Sequence, residues 1–197
     1  MARRSDSAKR AILVEKALEA FADRGFRGAT IKRIAGRAGI APGSVYTYFK
    51  DKDALFRSSL EEEWQAFLAS LDELAVTERP FAWTIDRLLD AGFAELARRL
   101  PLVRGIAFDA SRGGFLRGKI EELCRRVERI FAAARSQGAL RPAANPAAWR
   151  AMLRVTVSGI LFSAAVAPPA RAAAELRSLK AAVRGMVAAR IGEGSVP

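Results

Sequence analysis

The 197 residues contain no histidine, which removes the usual proton shuttle of hydrolases and most zinc ligand sets, so enzymatic readings start at a disadvantage. Cysteine is nearly missing as well. Cys124 stands alone, so no intrachain disulfide forms, and a buried apolar place in a protein of the reducing cytoplasm is its expected fate. β-Branched residues are sparse and scattered while Ala, Leu, Arg and Glu abound, so no segment reads as a strand. No Gly-rich phosphate loop and no metal-ligand cluster is found, and no cofactor is expected. The longest uncharged stretch, residues 155–170, is short of the ~20 residues of a spanning helix and ends in two prolines. It reads as a buried helix, without a membrane partner. The opening MARRSDSAKR is basic but lacks the apolar core of a secretory signal, so export is not expected.

What is present suits a globular domain: 51% hydrophobic residues suffice for a core without staples. Of the net charge of +12, +7 falls within residues 1–52. That density fits a polyanionic partner, though a soluble Arg-rich surface explains it equally well.

Apolar positions recur at three and four throughout, which predicts an all-α fold of about nine helices. A first helix is expected over about Ser7 to Arg24, with Leu13, Ala17 and Phe21 on one face, Gly25 as its stop, and a loop from Phe26 to Ala29. Thr30 is a suitable N-cap for a second helix, Ile31 to Ala38, which Gly39 ends; Ala41-Pro42 opens a third. After Lys50-Asp51-Lys52 a long helix is expected from Asp53 to Leu74. Five more follow at about Phe81–Arg99, Leu102–Ser111, Leu116–Gln137, Pro146–Ala167 and Ala170–Ile191, divided by Pro101, Gly113-Gly114, Gly138, Pro142 and Pro168-Pro169. The tail from Gly192 to Pro197 is expected to fray.

Within TIKRIAGRAGIAPGSVYTYFKDK, Ile31, Ile34, Ala35 and Ala38 share one helix face and leave Lys32, Arg33 and Arg37 outside. Ala35 is small where a third helix must cross, Gly39 suits a left-handed inter-helix turn, and Val45 follows six residues later. That spacing is the signature of a helix-turn-helix. Val45 and Phe49 then point inward, so Gly43, Ser44 and Thr47 face a major groove, with Tyr46 and Tyr48 on its flanks and Lys50 and Lys52 beside the phosphates. The plain alternative is a packed αα-hairpin whose tyrosines merely cover apolar surface.

Thr30, Ile34-Ala35, Ala38-Gly39-Ile40, Gly43 to Phe49, Lys52 and Leu55 resemble the N-terminal domain of tetracycline-repressor-like (TetR family) regulators, and Ile12-Leu13, Ala17, Phe21 and Gly25 extend the resemblance backwards. Glu15-Lys16 departs from it, standing where small residues are frequent. The resemblance implies a homodimer that binds a palindromic operator in double-stranded DNA. It implies a helix-turn-helix domain over 1–52 and a helical effector-binding and dimerisation domain over 53–197. Thr30 and Lys32 would approach the DNA backbone, Pro42, Gly43, Ser44 and Thr47 the bases, and Tyr46, Tyr48 and Lys52 the phosphates. These reading positions are poor in the Arg, Asn and Gln that bind bases bidentately.

By the same resemblance, Trp64, Phe67, Trp83, Leu89, Phe93, Phe108, Phe115, Leu123, Cys124, Val127 and Phe131 come from helices that surround an effector cavity, suited to an apolar or aromatic small molecule. Aromatics at helical spacing also fill ordinary cores. The acidic run Glu61-Glu62-Glu63 reads as a solvated face. The last two helices carry apolar stripes: Trp149, Met152, Leu153, Thr156, Ile160 and Leu161, then Leu176, Leu179, Val183 and Met186. From spacing alone these close the monomer core or meet a second copy, and the resemblance points to a dimer interface. A repressor released by a ligand is the leading reading. An activator, a regulator without effector, a basic interaction module, and an enzyme using Asp86 and Asp90 as an acid and base are the others.

Overall fold

The computed structural model describes residues 2–107, 113–140 and 145–192. They form eight α-helices and one 3₁₀ turn, and among the described residues there is no strand. Helix α1 (Ala2–Gly28) is broken by Gly25, whose φ of 67° reverses the chain, so the expected stop is there. The following segment makes a helical turn where a loop was expected. Thr30 caps α2 (Ile31–Arg37), its hydroxyl accepting from the Arg33 N–H. Gly39, at φ 66°, ends that helix: its N–H donates to the Gly36 carbonyl and the Ile40 N–H to the Ala35 carbonyl, so two end carbonyls are satisfied. Helix α3 (Pro42–Tyr48) starts on Pro42 and needs no side-chain cap.

These three helices close over one core: Leu13, Ala17, Phe21, Ile34, Ala35 and Val45 are fully buried. The core does not end at residue 52. Helix α4 (Lys52–Ala75), capped by Asp51, contributes Leu55, Phe56 and Leu60, and the ring of Phe56 meets those of Phe21 and Phe26 edge-on at 5.0 and 5.3 Å. Leu102 and Ile106 also reach it, from α5 (Phe81–Ala107).

Pro101 was expected to separate one helix from the next, and instead lies inside α5. It removes the hydrogen bond that the carbonyl of Ala97 would otherwise accept, and Ala97 is an exposed residue. Its neighbours compensate: Leu100 is buried in a second core and Leu102 in the first, so packing on both sides holds the helix through the proline. This fusion leaves eight helices among the described residues rather than nine.

The second core is built by the rest of α5 with α6 (Gly113–Ser136), α7 (Pro146–Val166) and α8 (Ala172–Gly192), the last two joined through the turn Pro169–Arg171. Gly113 and Gly114 start α6 instead of preceding it, and Gly138, at φ 75°, ends it as expected. Asn145 caps α7 by accepting from two amide N–H groups. Pro142 and the tail beyond Gly192 lie outside the described residues.

The expectation of a buried α7 is corrected. Leu153, Ala164 and Ala165 are its buried residues, while Val155 is 72% and Phe162 62% exposed. Its apolar residues cover more than one face, and the chain's own core uses only one of them. By length and composition alone α7 matches a membrane span, and it is the sole helix among the described residues to do so.

Two glycines of α2 and its turn give opposite expectations. A Cβ at Gly36 or Gly39 would meet nothing within 4 Å, so space decides neither. Gly36 is helical, and Gly36→Ala should stabilise by about 0.5–1 kcal/mol. Gly39→Ala should destabilise by about 1–2 kcal/mol because of its positive φ. Chemical denaturation of both variants checks the signs, and equal effects would refute the assignment of the turn to Gly39.

Candidate DNA-binding face and effector cavity

Helix α3 is seven residues long, so its orientation depends on what it buries. Val45 is fully buried and Phe49, just past its end, is 5% exposed. With those two inward, Pro42, Gly43, Ser44, Tyr46 and Thr47 are exposed, an outer face of small polar groups edged by one phenol. Lys32 and Arg33 of α2 are exposed alongside, with no ion pair among the described residues, whereas Arg37 is held by Asp23 at 2.9 Å. Thr30 is exposed, and its hydroxyl oxygen accepts from the Arg33 N–H as the α2 cap, a bond that leaves its O–H able to donate.

Two expected phosphate contacts are otherwise engaged. The Lys52 ammonium donates to the carbonyls of Phe26 (2.9 Å) and Ala29 (3.0 Å) and lies 4.3 Å from the centre of the Phe26 ring. It ties the C-terminal end of α1 to the start of α4, where a cation meets the negative end of the helix dipole. The Tyr48 hydroxyl donates to Asp6 at 2.6 Å, a bond that raises the phenol's pKa and is assisted by partial desolvation. Sequence spacing gave no sign of this pair, because the two residues lie 42 positions apart and Asp6 precedes the expected start of α1. Arg10, which bonds Ser58 and sits 5.2 Å from the Phe49 ring, was missed for the same reason.

A cavity of about 730 Å³ opens between α4, α5, α6, α7 and α8. Six of the expected ligand residues line it: Phe67, Leu89, Phe93, Leu123, Val127 and Phe131. Trp64 does not; its indole N–H donates to Glu122 at 2.5 Å and links α4 to α6. Trp83 is 42% exposed beside Arg79 and Arg87. Phe115 packs on Phe56 in the N-terminal core, and Cys124 is buried away from the cavity, its thiol pushed up by desolvation. Phe108 lies outside the described residues. Periodicity identifies the inward side of a helix, and it does not say which of two cores or which void that side meets.

The stripes expected at a dimer interface divide differently too. Trp149, Met152, Leu153, Thr156, Ile160, Leu161, Val183 and Met186 line the cavity, while Leu176 is buried and Leu179 packs against the same core. Leu153 and Leu176 therefore face the chain's own interior, being 9% and 7% exposed. The outward face of α7 is instead Val155, Gly159, Phe162 and Val166, at three- and four-residue spacing. On α8 the exposed residues include Ala174, Ser178, Ala181 and Gly185, which are small.

Ion pairs account for the remaining candidates. Asp86 meets Arg184 at 2.7 Å, and Asp90 meets Lys180, whose hydrogen bond holds its carboxyl below the usual range. A carboxyl kept ionised in this way is the opposite of a general acid, and each pair fastens α8 to α5. Of the acidic run, Glu61 binds Lys119 and Glu63 binds Arg98 and Arg99. Glu61 and Glu63 tie α4 to α6 and α5 while their side chains stay 46% and 40% exposed, so the ion pairs lie on a face that is still solvated.

Residues 13–58 match the tetR family of bacterial regulatory proteins. An HTH-type transcriptional repressor of Mycobacterium tuberculosis is 32% identical over 111 residues, 54% of this chain and 57% of that one. The chain spans between about a third and just over half of the length of such curated relatives. Over nearly the whole chain the fold is similar to a TetR transcription regulator from Haloarcula marismortui (TM-score 0.72, 18% identity, 93% of this chain and 98% of that one). It is also similar to SmeT of Stenotrophomonas maltophilia in a SmeT–triclosan complex (TM-score 0.63, 24% identity, 89% and 91%).

Lys52→Met removes the donor from two carbonyls and should lower stability by about 1–3 kcal/mol. The midpoint of chemical denaturation measures this. A variant as stable as its parent but weakened on DNA would return Lys52 to the phosphate role.

Proposed function

We propose that this chain, which belongs to the tetR family of bacterial regulatory proteins, is a homodimeric repressor that binds a palindromic operator and leaves it when a small apolar molecule occupies the cavity. It would work on DNA in the cytoplasm, and no catalytic role is assigned to it. The observation that carries this reading is the pairing of an exposed polar α3 face, pinned by Val45 and Phe49, with a cavity in a separate core that shares two helices with it.

Gly43, Ser44 and Thr47 are assigned to base edges, Lys32 and Tyr46 to phosphates, and Pro42 to close approach at the start of α3. Tyr48 joins them once it releases Asp6, whose carboxylate would otherwise face the phosphates. Few of these groups discriminate bases strongly, so specificity is drawn from two heads acting together and from DNA shape. Two recognition helices about 34–36 Å apart fit successive major grooves.

The dimer is assigned to α7 and α8, with Val155, Phe162 and Val166 set against the small residues of the partner's α8. The expected division at residue 52 is kept as the start of the effector domain, with the first two turns of α4 shared by the reading head. A ligand in the cavity acts only through its different affinity for the DNA-competent and released arrangements. The complex of SmeT with triclosan supports such an apolar occupant in this fold.

Selection of bound sites from random duplexes tests the function. A palindrome with half-sites one helical turn apart is expected, and recovery of no common sequence would overturn the reading. Phe162→Glu should give a folded monomer by sedimentation and weaken operator binding by about a hundredfold or more. A stable dimer in that variant would move the interface elsewhere.

A further inference from the structure

The cavity wall is mostly apolar and carries one charge. Arg135, in the last turn of α6, is the only ionisable residue among the described residues that line it, and no carboxylate is among them. Arg135 has no ion pair among the described residues, while its guanidinium carbon lies 5.5 Å from the centre of the Trp149 ring. Trp149 lines the same wall and keeps its indole N–H buried without a hydrogen-bond partner. Two other arginines of the same helix have a carboxylate partner: Arg126 and Arg129 share Asp72. Thr156 adds a hydroxyl to the lining.

A half-buried cation without a counter-charge, set in a wall that is otherwise uncharged, lacks an anionic oxygen. We propose that the cavity takes an apolar carboxylate, its carboxylate bound by Arg135, which Trp149 backs with its ring, and its hydrocarbon body lying among Phe93, Leu123 and Phe131. A cavity of about 730 Å³ is large enough for a carboxylic acid with a substantial hydrocarbon body. The assignment rests on the reading of this cavity as the effector site and specifies the ligand's charge. Against it stands a plain role for Arg135 as a cation at the C-terminal end of α6, where it would favour the helix dipole without any ligand.

Calorimetric titration of the full chain with decanoate, decan-1-ol and decyltrimethylammonium, each below its micellar concentration, separates these. Decanoate should bind about tenfold to a hundredfold more tightly than the alcohol, the range of one charged hydrogen bond. The ammonium should bind weakest. In Arg135→Met the advantage of decanoate over decan-1-ol should vanish while decan-1-ol binds as before, which also shows that the variant is folded; Arg135→Lys should restore some of it. Equal binding of decanoate and the alcohol in the parent chain overturns the anion assignment and leaves the effector site standing. A lower melting temperature in Arg135→Met with the preference intact returns Arg135 to the helix end. Failure of all three probes to bind overturns the effector-site reading as well.

Discussion

Everything in this molecule depends on two helices being packed into two cores at once. Helix α4 leaves Leu55, Phe56 and Leu60 among the residues of the reading head and Leu71 in the second core. Helix α5 does the same in reverse, from Ile85 to Leu100 in the second core and Leu102 and Ile106 in the first. Both are pinned by charge where they pass each other, through Glu63, Arg98 and Arg99, and α4 is pinned to α6 through Glu61 and Lys119. A displacement of either helix in the larger core cannot leave the smaller one untouched, because protein interiors resist local compression. Gly105 marks one contact between α5 and α1: a Cβ there would lie 3.6 Å from the Gly25 Cα, so α5 runs against the turn that breaks the first helix.

The reading head was legible in the sequence because its determinants are local. The Ala35, Gly39 and Val45 spacing, the Thr30 cap and the inward Phe49 each follow from positions close together along the chain, and each appears in the structure. The same local reasoning could not see the carbonyls on Lys52 or Asp6 on Tyr48, since both depend on where α1 begins and ends relative to α4. Pro101 shows the limit from the other side. A proline is a strong local signal, yet burial of Leu100 and Leu102 outweighs one lost hydrogen bond.

In the larger domain, periodicity separated inward from outward residues but not one inward destination from another. Trp64, Trp83 and Phe115 sit on helices like Phe67 and Phe93, and end up in a hydrogen bond between α4 and α6, on the surface and in the other core. On α7 apolar residues serve two purposes. Met152, Leu153, Ile160 and Leu161 turn to the cavity while Val155, Phe162 and Val166 turn away from it. A helix with a core on one side and a second apolar side toward solvent has a composition like that of a spanning helix, which explains why a hydropathy window alone picks it out.

The shared core bears on how such proteins are cut and recombined. A chimera that joined residues 1–52 to a different C-terminal part would separate Phe21 and Phe26 from Phe56, and the three-helix core from Leu102 and Ile106 of α5. The transferable unit is discontinuous: the first 60 residues together with the turn of α5 from Leu102 to Ile106. A graft that moved both pieces would carry a finished core with it, whereas a linear splice would leave the new head a hydrophobic seam to repack.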